Sequence, residues 1–125
     1  MKKIISTTEA PGAIGPYSQA VQIGDMLYTS GQIPLNPVTM EVESDDVGAQ
    51  TKQVMENLKA VLSGGGAGME NVIKCTIFLK DMNDFVKVNE VYSEYFTENP
   101  PARSCVEVAR LPRDVKVEIE CIAKI

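Results

Sequence analysis

The 125-residue sequence contains no histidine, the side chain that proteins use most often as a general base near neutral pH. Its absence excludes the usual Ser-His-Asp triads and removes a ligand found in most transition-metal sites. Any chemistry must therefore come from carboxylates, arginine, lysine, tyrosine, serine, cysteine or the backbone.

Cysteine and long apolar runs are also scarce. The three cysteines, Cys75, Cys105 and Cys121, are odd in number and widely spaced, which argues against a disulfide framework. The N-terminal stretch MKKIISTTEAPG contains only a two-residue apolar run. That run is too short for a signal peptide, and no stretch of the chain approaches membrane-spanning length. We therefore expect a cytoplasmic protein without a membrane partner.

Positive charge is in the minority, with 12 basic against 17 acidic residues and a net charge of −5. The lysines and arginines form no cluster along the chain. Because nucleic-acid grooves bind by neutralising phosphates with basic side chains, this balance argues against a nucleic-acid partner.

The pattern that is present predicts one α+β domain over residues 1–125. A chain of this length can bury roughly two-thirds of its unfolded surface. The predicted order is a short strand, two strands, a helix, a strand, a helix and two final strands. We expect the two helices to pack on one face of a mixed β-sheet.

Residues 17–33, YSQAVQIGDMLYTSGQI, predict two strands joined by a two-residue turn at Gly24 and Asp25. Placing Ile23 opposite Met26 leaves apolar side chains on both faces of this hairpin. A strand pair that is apolar on both faces needs cover on both sides. We expect helices to cover one side and another subunit to cover the other.

Two stretches have helical periodicity. SDDVGAQTKQVMENLKAVLSGGG predicts a helix that begins behind a Ser/Asp cap and stops at Gly64–Gly66. VIKCTIFL then predicts a strand with alternate residues from Ile73 to Leu79 on one face. DMNDFVKVNEVYSEYF predicts a second helix capped by Asp81. Its apolar stripe consists of Phe85, Val88, Tyr92, Tyr95 and Phe96.

The strands predicted over residues 102–109 and 114–124 are expected to form a hairpin around a four-residue loop. This register places Cys105 opposite Glu118 and puts Arg103 on the same charged face. The opposite face is apolar and is expected to pack against the helices.

Two interpretations of the charged face stay open. In the first it is a solvated surface on which Arg103 pairs with Glu120, a contact that contributes roughly 0.2–1 kcal/mol. In the second Arg103 grips a carboxylate with two parallel hydrogen bonds. Glu118, ionised at neutral pH, then accepts a proton from a nearby water. Such a site suits the hydrolysis of a small electrophile that bears a carboxylate.

Segments along nearly the whole chain resemble the RidA (YjgF) family. They are AIGPYSQA (13–20), LYTSGQIPLNP (27–37), FLKDMNDFVKVNEVY (78–92) and PARSCVEVARLPRDVKVEIE (101–120), in the family's order. Arg103, together with Glu118 in the triplet Val117-Glu118-Ile119, is similar to the RidA-proper sub-group.

This resemblance implies a chorismate-mutase-like α+β fold that assembles as a homotrimer with pockets between subunits. It implies a 2-iminobutanoate/2-iminopropanoate deaminase, which converts reactive 2-imino or enamine acids and water into 2-keto acids and ammonia. Such metabolite damage control protects pyridoxal-phosphate enzymes from the enamines that those enzymes release. Neither a metal nor an organic cofactor is implied.

The same resemblance assigns roles to individual residues. Arg103 is expected to bind the substrate carboxylate. Glu118 is expected to position or deprotonate the hydrolytic water, with help from the backbone carbonyl of Cys105. The residues expected to line or shape the pocket and bind substrate are Tyr17, Ser30, Gly31 and Asn89.

Each of these residues also has a simpler interpretation. Cys105 can be a nucleophile or merely a small, half-buried strand residue. Tyr17 can be the aromatic residue that opens a strand. Ser30 and Gly31 can form a bulge where another backbone approaches. Asn89 can be a polar flank of the second helix.

Two other classes of function stay open. A non-catalytic sensor would use the same arginine to bind a keto acid or an amino acid, and it would not accelerate loss of an imine. An RNA-cleaving inhibitor of translation is the third class. The acidic net charge and the absence of histidine argue against it.

Overall fold

The computed structural model describes residues 1–125, and its elements follow the predicted order. The helices are α1 (Val47–Gly64) and α2 (Phe85–Ser93). The strands form one six-stranded sheet in the order β1-β2-β3-β6-β4-β5. Only β4 and β5 run parallel, and every other neighbouring pair is antiparallel. The predicted α+β class, with two helices on one face of a mixed sheet, is confirmed. The strands are β1 (Lys3–Ile5), β2 (Ala20–Ile23), β3 (Met26–Thr29), β4 (Val72–Leu79), β5 (Ala102–Glu107) and β6 (Val117–Lys124).

The predicted hairpin of β2 and β3 is confirmed in its register. Ile23 lies opposite Met26, and Val21 lies opposite Tyr28. Gly24 adopts a φ of 58° in the turn, a left-handed conformation that glycine reaches without a steric cost.

Helix α1 supplies most of the apolar surface that covers the sheet. It begins where the Asp46 side chain accepts a hydrogen bond from Ala49 N at 2.8 Å. It ends in the predicted glycine run, where Gly66 has a φ of 80°. No helix of the protein is both long and apolar enough to cross a membrane. The core face of α1 is formed by the fully buried Val54, Met55, Leu58, Val61 and Leu62.

The second helix is shorter than predicted. Asp81 caps a 3₁₀ turn at Met82–Asp84, where it accepts from Asn83 N at 2.9 Å, and does not cap α2 itself. Because α2 ends at Ser93, the aromatic residues at 95 and 96 lie beyond its last residue. They still pack against the core.

The predicted inward orientation of Ile73 in β4 is wrong. The predicted apolar face of β4 includes Ile73, but Ile73 is 47% exposed. A register shift between Val72 and Lys74 adds a bulge that turns Ile73 outward. Val72, Cys75, Ile77 and Leu79 are the buried residues of this strand.

The predicted hairpin of the last two strands is wrong, because β4 lies between β5 and β6. Helix α2 carries the chain from β4 to a parallel β5, as strand-helix-strand crossovers do. Most residues of β5 are exposed, which suits an edge strand. The apolar β4 instead occupies a central position, where both of its edges are paired.

This arrangement corrects the expectation that Arg103 and Glu118 share a face. Arg103 is aligned with the buried Cys75 and therefore points to the helix side of the sheet. Glu118 is aligned with Phe78, whose side chain points the other way along β4. The predicted pair of Arg103 with Glu120 is also absent, because Glu120 is aligned with Thr76 on the same opposite face as Glu118.

The face of the sheet away from the helices, which we call the open face, has no cover within one chain. Its apolar residues include Val21, Ile23 and Tyr28, and Ile23 and Tyr28 are 55% and 44% exposed. Exposed apolar side chains grouped on one surface are typical of a protein interface.

Candidate active site

The sequence-predicted residues fall into two groups separated by the sheet. The helix-side half-site consists of Arg103, Cys105 and Asn89, together with the rings of Phe85 and Tyr92. The open-side half-site consists of Glu118, Gly31, Ser30 and Tyr17. Within one chain the structure brings together the members of each group, but it does not bring Arg103 to Glu118.

In the helix-side half-site, Arg103 is held by one face of α2. Its Nη1 donates a hydrogen bond to Asn89 Oδ1 at 2.6 Å. Its Cζ lies 5.3 Å from the centroid of the Phe85 ring and 5.1 Å from that of Tyr92. Positions 85, 89 and 92 follow the i, i+4, i+7 spacing of one helical face.

The charge of Arg103 has no acidic partner in the chain. The ion pairs of the structure join Arg110 to Asp114, Arg113 to Glu41, and Lys124 to Asp25. Asn89 accepts from only one nitrogen of the guanidinium. The remaining donors can therefore bind an anionic ligand through two parallel hydrogen bonds.

The backbone carbonyl of Cys105 faces the free edge of the sheet. Val108 N donates to Leu79 O at 2.8 Å, so the backbone of residue 108 points toward β4. Because backbone direction alternates along a strand, the N–H and C=O groups of Cys105 point away from β4. Since β5 is an edge strand, this carbonyl is free to accept a hydrogen bond from outside the chain.

The thiol of Cys105 is a poor candidate for a nucleophile. Burial raises the pKa of Cys105 above its ordinary value, and the charge of Arg103 only partly opposes this shift. The reactive form of cysteine is the thiolate, and a raised pKa keeps the thiol protonated at neutral pH.

In the open-side half-site, the carboxylate of Glu118 lies against Gly31. A Cβ built on Gly31 would lie 2.9 Å from Glu118 Cδ and closer still to Oε2, so a larger residue would displace the carboxylate. The segment is fixed beside β6 by Gln32, whose N–H donates to Ile119 O at 2.8 Å and whose carbonyl accepts from Ile119 N at 3.1 Å.

Ser30 and Gly31 form the bulge that was one interpretation of their sequence. Tyr28 pairs with Ile122 and Gln32 with Ile119, so β3 carries one more residue than β6 between these pairs. Thr29 compensates for the interrupted ladder, because its Oγ1 accepts from Cys121 N at 3.0 Å. The hydroxyl of Ser30 donates to Ser18 O at 2.6 Å and is occupied within the chain.

The carboxylate of Glu118 has a raised pKa. Burial is the main cause, and the like charge of Glu120 adds to it. A carboxylate with a raised pKa is, in its ionised form, a stronger base than an ordinary carboxylate.

Tyr17 lines a cleft of about 280 Å³ that runs beside Gly31. Its ring is 51% exposed, and its hydroxyl accepts from Ile14 N at 3.4 Å. Pro112 and Arg113 also line this cleft. No group of three histidine, cysteine, aspartate or glutamate side chains in the chain is placed to hold a metal ion.

Sequence reasoning missed Pro112 and Arg113 as lining residues. Arg113 has a φ of 60°, an uncommon left-handed conformation for a residue with a side chain. An arginine in the sequence gives no signal that its backbone adopts this conformation. Pro112 lies inside the segment 101–120 that carries the family resemblance, and this was the available signal.

Comparison with known proteins identifies close relatives over the full length. The family model described as Endoribonuclease L-PSP matches residues 7–125. The 2-iminobutanoate/2-iminopropanoate deaminase of Escherichia coli K12 is 55% identical over 126 residues, which cover 98% of each chain. A RutC family protein of Pyrococcus horikoshii is 56% identical over 123 residues, again 98% of each chain.

Solved structures are similarly close. The crystal structure of Escherichia coli TdcF with bound serine superposes with a TM-score of 0.94 at 51% identity, covering 98% of each chain. The Escherichia coli YjgF gene product superposes with a TM-score of 0.93 at 54% identity, again over 98% of each chain.

Proposed function

This chain belongs to the YjgF/RidA family, whose model is described as Endoribonuclease L-PSP, and from that membership we propose that it is a 2-iminobutanoate/2-iminopropanoate deaminase. The enzyme hydrolyses 2-imino acids to 2-keto acids and ammonia. The observation that carries the proposal is the 55% identity, over 98% of the chain, to a relative of that name. The two half-sites supply an arginine without an acidic partner and a carboxylate with a raised pKa, which this chemistry needs.

The proposal includes a homotrimer, because one chain holds Arg103 and Glu118 on opposite faces of its sheet. A complete pocket requires the helix-side half-site of one subunit to meet the open-side half-site of another. A contact between two different surfaces closes into a ring when the rotation allows it. Three subunits then form three identical pockets. The uncovered apolar open face supports such an assembly.

In the proposed mechanism, Arg103 binds the substrate carboxylate and so fixes the position of the imine carbon. Asn89 holds the guanidinium, while Tyr17, Ser30 and Gly31 shape the far wall of the pocket. Positioning of this kind accounts for a large share of catalysis in reactions between a bound substrate and a bound water.

Glu118 takes a proton from that water while the water oxygen attacks the carbon of the imine, whose nitrogen is protonated. The carbonyl of Cys105 accepts the second hydrogen bond of the water. Glu118 then gives this proton to the amine nitrogen of the tetrahedral intermediate, and the C–N bond breaks as the C=O bond forms. The hydroxyl proton passes to Glu118 and then to the departing ammonia, which leaves as ammonium. The negative charge of Glu118 also stabilises the iminium electrostatically. One protonated imine and one water give one keto acid and one ammonium ion.

The test generates 2-iminobutanoate with an amino-acid oxidase in the presence of semicarbazide, which traps the free imine. Semicarbazone formation is compared with no protein, with the wild type, and with the Arg103→Ala and Glu118→Ala variants. We expect only the wild type to lower trapping strongly. Equal trapping with the wild type and with no protein, across several imines, would reject the hydrolase.

A sensor is the second candidate, because TdcF has been crystallised with bound serine. In that case 2-oxobutanoate or serine would bind to the wild type and not to Arg103→Ala, without any faster loss of imine. Incubation with RNA tests the activity for which the family model is named. RNA cleavage that persists in Arg103→Ala would come from another site or from a contaminant.

We further propose that the protein acts in the cytoplasm on small imino acids, without a nucleic-acid or membrane partner. Enamines released by pyridoxal-phosphate enzymes convert to these imines. Their removal there limits damage to other enzymes of that class.

A further inference from the structure

The guanidinium of Arg103 contacts three side chains of α2, and two of these are aromatic. Phe85 and Tyr92 present their rings to Arg103 Cζ at 5.3 and 5.1 Å. We call this pair the aromatic clamp. We propose that the aromatic clamp positions the Arg103 guanidinium for binding of a substrate carboxylate through two hydrogen bonds. This inference deepens the proposed function and rests on it.

The contacts leave one edge of the guanidinium free. Asn89 accepts from Nη1 at 2.6 Å, and neither Nε nor Nη2 has a hydrogen-bond partner in the chain. A carboxylate can therefore bind the Nε–Nη2 edge with both of its oxygens. Such binding requires the plane of the guanidinium to be fixed, which one hydrogen bond to Asn89 does not achieve.

Aromatic faces can fix this plane without neutralising the charge. A ring attracts a cation through its quadrupole. An acidic side chain at the same place would form an ion pair and compete with the substrate carboxylate. Because an arginine side chain has many rotamers, holding it in one conformation beforehand lowers the entropy lost when the substrate binds.

The two rings are themselves held in place to different degrees. Tyr92 is 4% exposed and packs against Phe96 with ring centroids 4.8 Å apart. Phe85 is half-buried at the first residue of α2. The hydroxyl of Tyr92 is buried and has no hydrogen-bond partner. The ring, and not the hydroxyl, is therefore the part of Tyr92 that acts on Arg103.

This assignment separates conservative from disruptive substitutions. We expect Phe85→Leu and Tyr92→Leu to raise the KM for 2-iminobutanoate about five- to tenfold, with a smaller change in kcat, since the lost ring contact positions the guanidinium that binds the carboxylate. Phe85→Tyr and Tyr92→Phe keep a ring and should restore a KM within about twofold of the wild type. Tyr95→Leu is the matched control, because it removes a nearby ring that makes no ring contact with Arg103 or with the aromatic clamp.

A second measurement does not depend on activity. In the full-length protein labelled with ¹⁵N-arginine, the Nε–H signal of Arg103 is assigned by its loss in Arg103→Lys. The two ring faces should move the chemical shift of this signal away from that of a free arginine. Binding of 2-oxobutanoate, the keto acid product, should shift it further. Phe85→Leu and Tyr92→Leu should move the signal toward that of a free arginine, whereas Tyr95→Leu should not.

The outcomes separate this inference from the proposed function. If the clamp variants Phe85→Leu and Tyr92→Leu keep both the wild-type Nε–H shift and the wild-type KM, or if Tyr95→Leu raises KM equally, the aromatic clamp does not position Arg103. If the wild type lacks deaminase activity, the displaced signal and its response to 2-oxobutanoate still report on the aromatic clamp. In that case the ligand-binding arginine would belong to a sensor.

Discussion

Arg103 and Glu118 lie on opposite faces of one β-sheet. Arg103 is aligned with the buried Cys75 of β4, and Glu118 with Phe78 of the same strand. Cys75 and Phe78 are an odd number of residues apart, so their side chains point to opposite faces of the sheet. Arg103 and Glu118, which are aligned with them, therefore lie on opposite faces as well. No rotation of either side chain brings the guanidinium and the carboxylate into one pocket of the same chain.

Complementation between two inactive variants tests whether the pocket needs two subunits. We expect Arg103→Ala and Glu118→Gln each to be inactive alone. Co-expressed in equal amounts, they should form mixed rings in which about one quarter of the pockets combine an intact Arg103 with an intact Glu118. Imine trapping measures the recovered activity.

The control for this experiment mixes Arg103→Ala with the double variant Arg103→Ala/Glu118→Gln, which cannot form an intact pocket. The mixed sample must recover activity while the control does not. If neither recovers any, the inter-subunit pocket is wrong.

Substitution of Gly31 tests the position of the Glu118 carboxylate. Gly31→Ala places a Cβ 2.9 Å from Glu118 Cδ, and the carboxylate must move. Because small displacements of a catalytic group are costly, kcat/KM should fall on the order of a hundredfold. Gly12→Ala is the matched control, since a Cβ at Gly12 has nothing within 4 Å. Equal rates for the two variants would show that the placement of the carboxylate is unimportant.

The pH profile should report the raised pKa of Glu118. As a base Glu118 must be ionised, so kcat/KM should fall as the pH drops through its pKa, and at a higher pH than for an ordinary glutamate near about 4.3. The like charge of Glu120 contributes to this shift. Glu120→Gln should therefore move the acidic limb to lower pH. The same charge change at the exposed Glu94 should leave it in place. An unmoved limb in Glu120→Gln would mean that another group titrates.

Local sequence signals predicted some elements well. The hairpin register followed from the turn at Gly24 and Asp25, and α1 followed from its Ser/Asp cap and terminal glycines. Each of these signals acts between residues that are close in sequence. They need no knowledge of the rest of the fold.

The strands that pair with β5 and β6 could not be predicted from such local signals. Alternation shows that Arg103 and Cys105 share a face, but it does not show which face. That depends on the pairing of β5 with β4, almost thirty residues away. The helix between the two strands was the available signal for a parallel pair. It was outweighed by a plausible short loop at residues 110–113.

The candidate site shows the same limit. The alternation of the last strands indicates Arg103 and Glu118 as candidates and the family resemblance assigns their roles, whereas helical spacing assigns Phe85 and Tyr92 to the core. The spacing is correct, since Tyr92 is buried. It cannot reveal that a guanidinium from a distant strand lies against both rings.

The buried hydroxyl of Tyr92 makes a prediction about stability. It has no hydrogen-bond partner, so Tyr92→Phe should keep or raise the free energy of unfolding, by up to about 1 kcal/mol. Tyr95→Phe is the contrasting change, because its hydroxyl donates to Glu56 Oε2 at 2.6 Å. That variant should lose roughly 0.5–1 kcal/mol. Urea unfolding at one fixed protein concentration measures both, since assembly couples stability to concentration.

The difference in the free energy of unfolding between Tyr92→Phe and the wild type should grow at alkaline pH. Burial raises the pKa of Tyr92 far above its ordinary value. Above about pH 10 the unfolded chain therefore releases the tyrosine proton while the folded chain retains it, so wild-type stability falls as the pH rises. Tyr92→Phe removes this contribution, and its stability should decline less steeply above about pH 10. Burial raises the pKa values of Cys75 and Cys121 in both proteins, but the Tyr92 hydroxyl lowers that of Cys75. The comparison is therefore made with Cys75→Ala in both proteins. Parallel declines would show that the Tyr92 hydroxyl reaches solvent or a proton acceptor in the assembled protein.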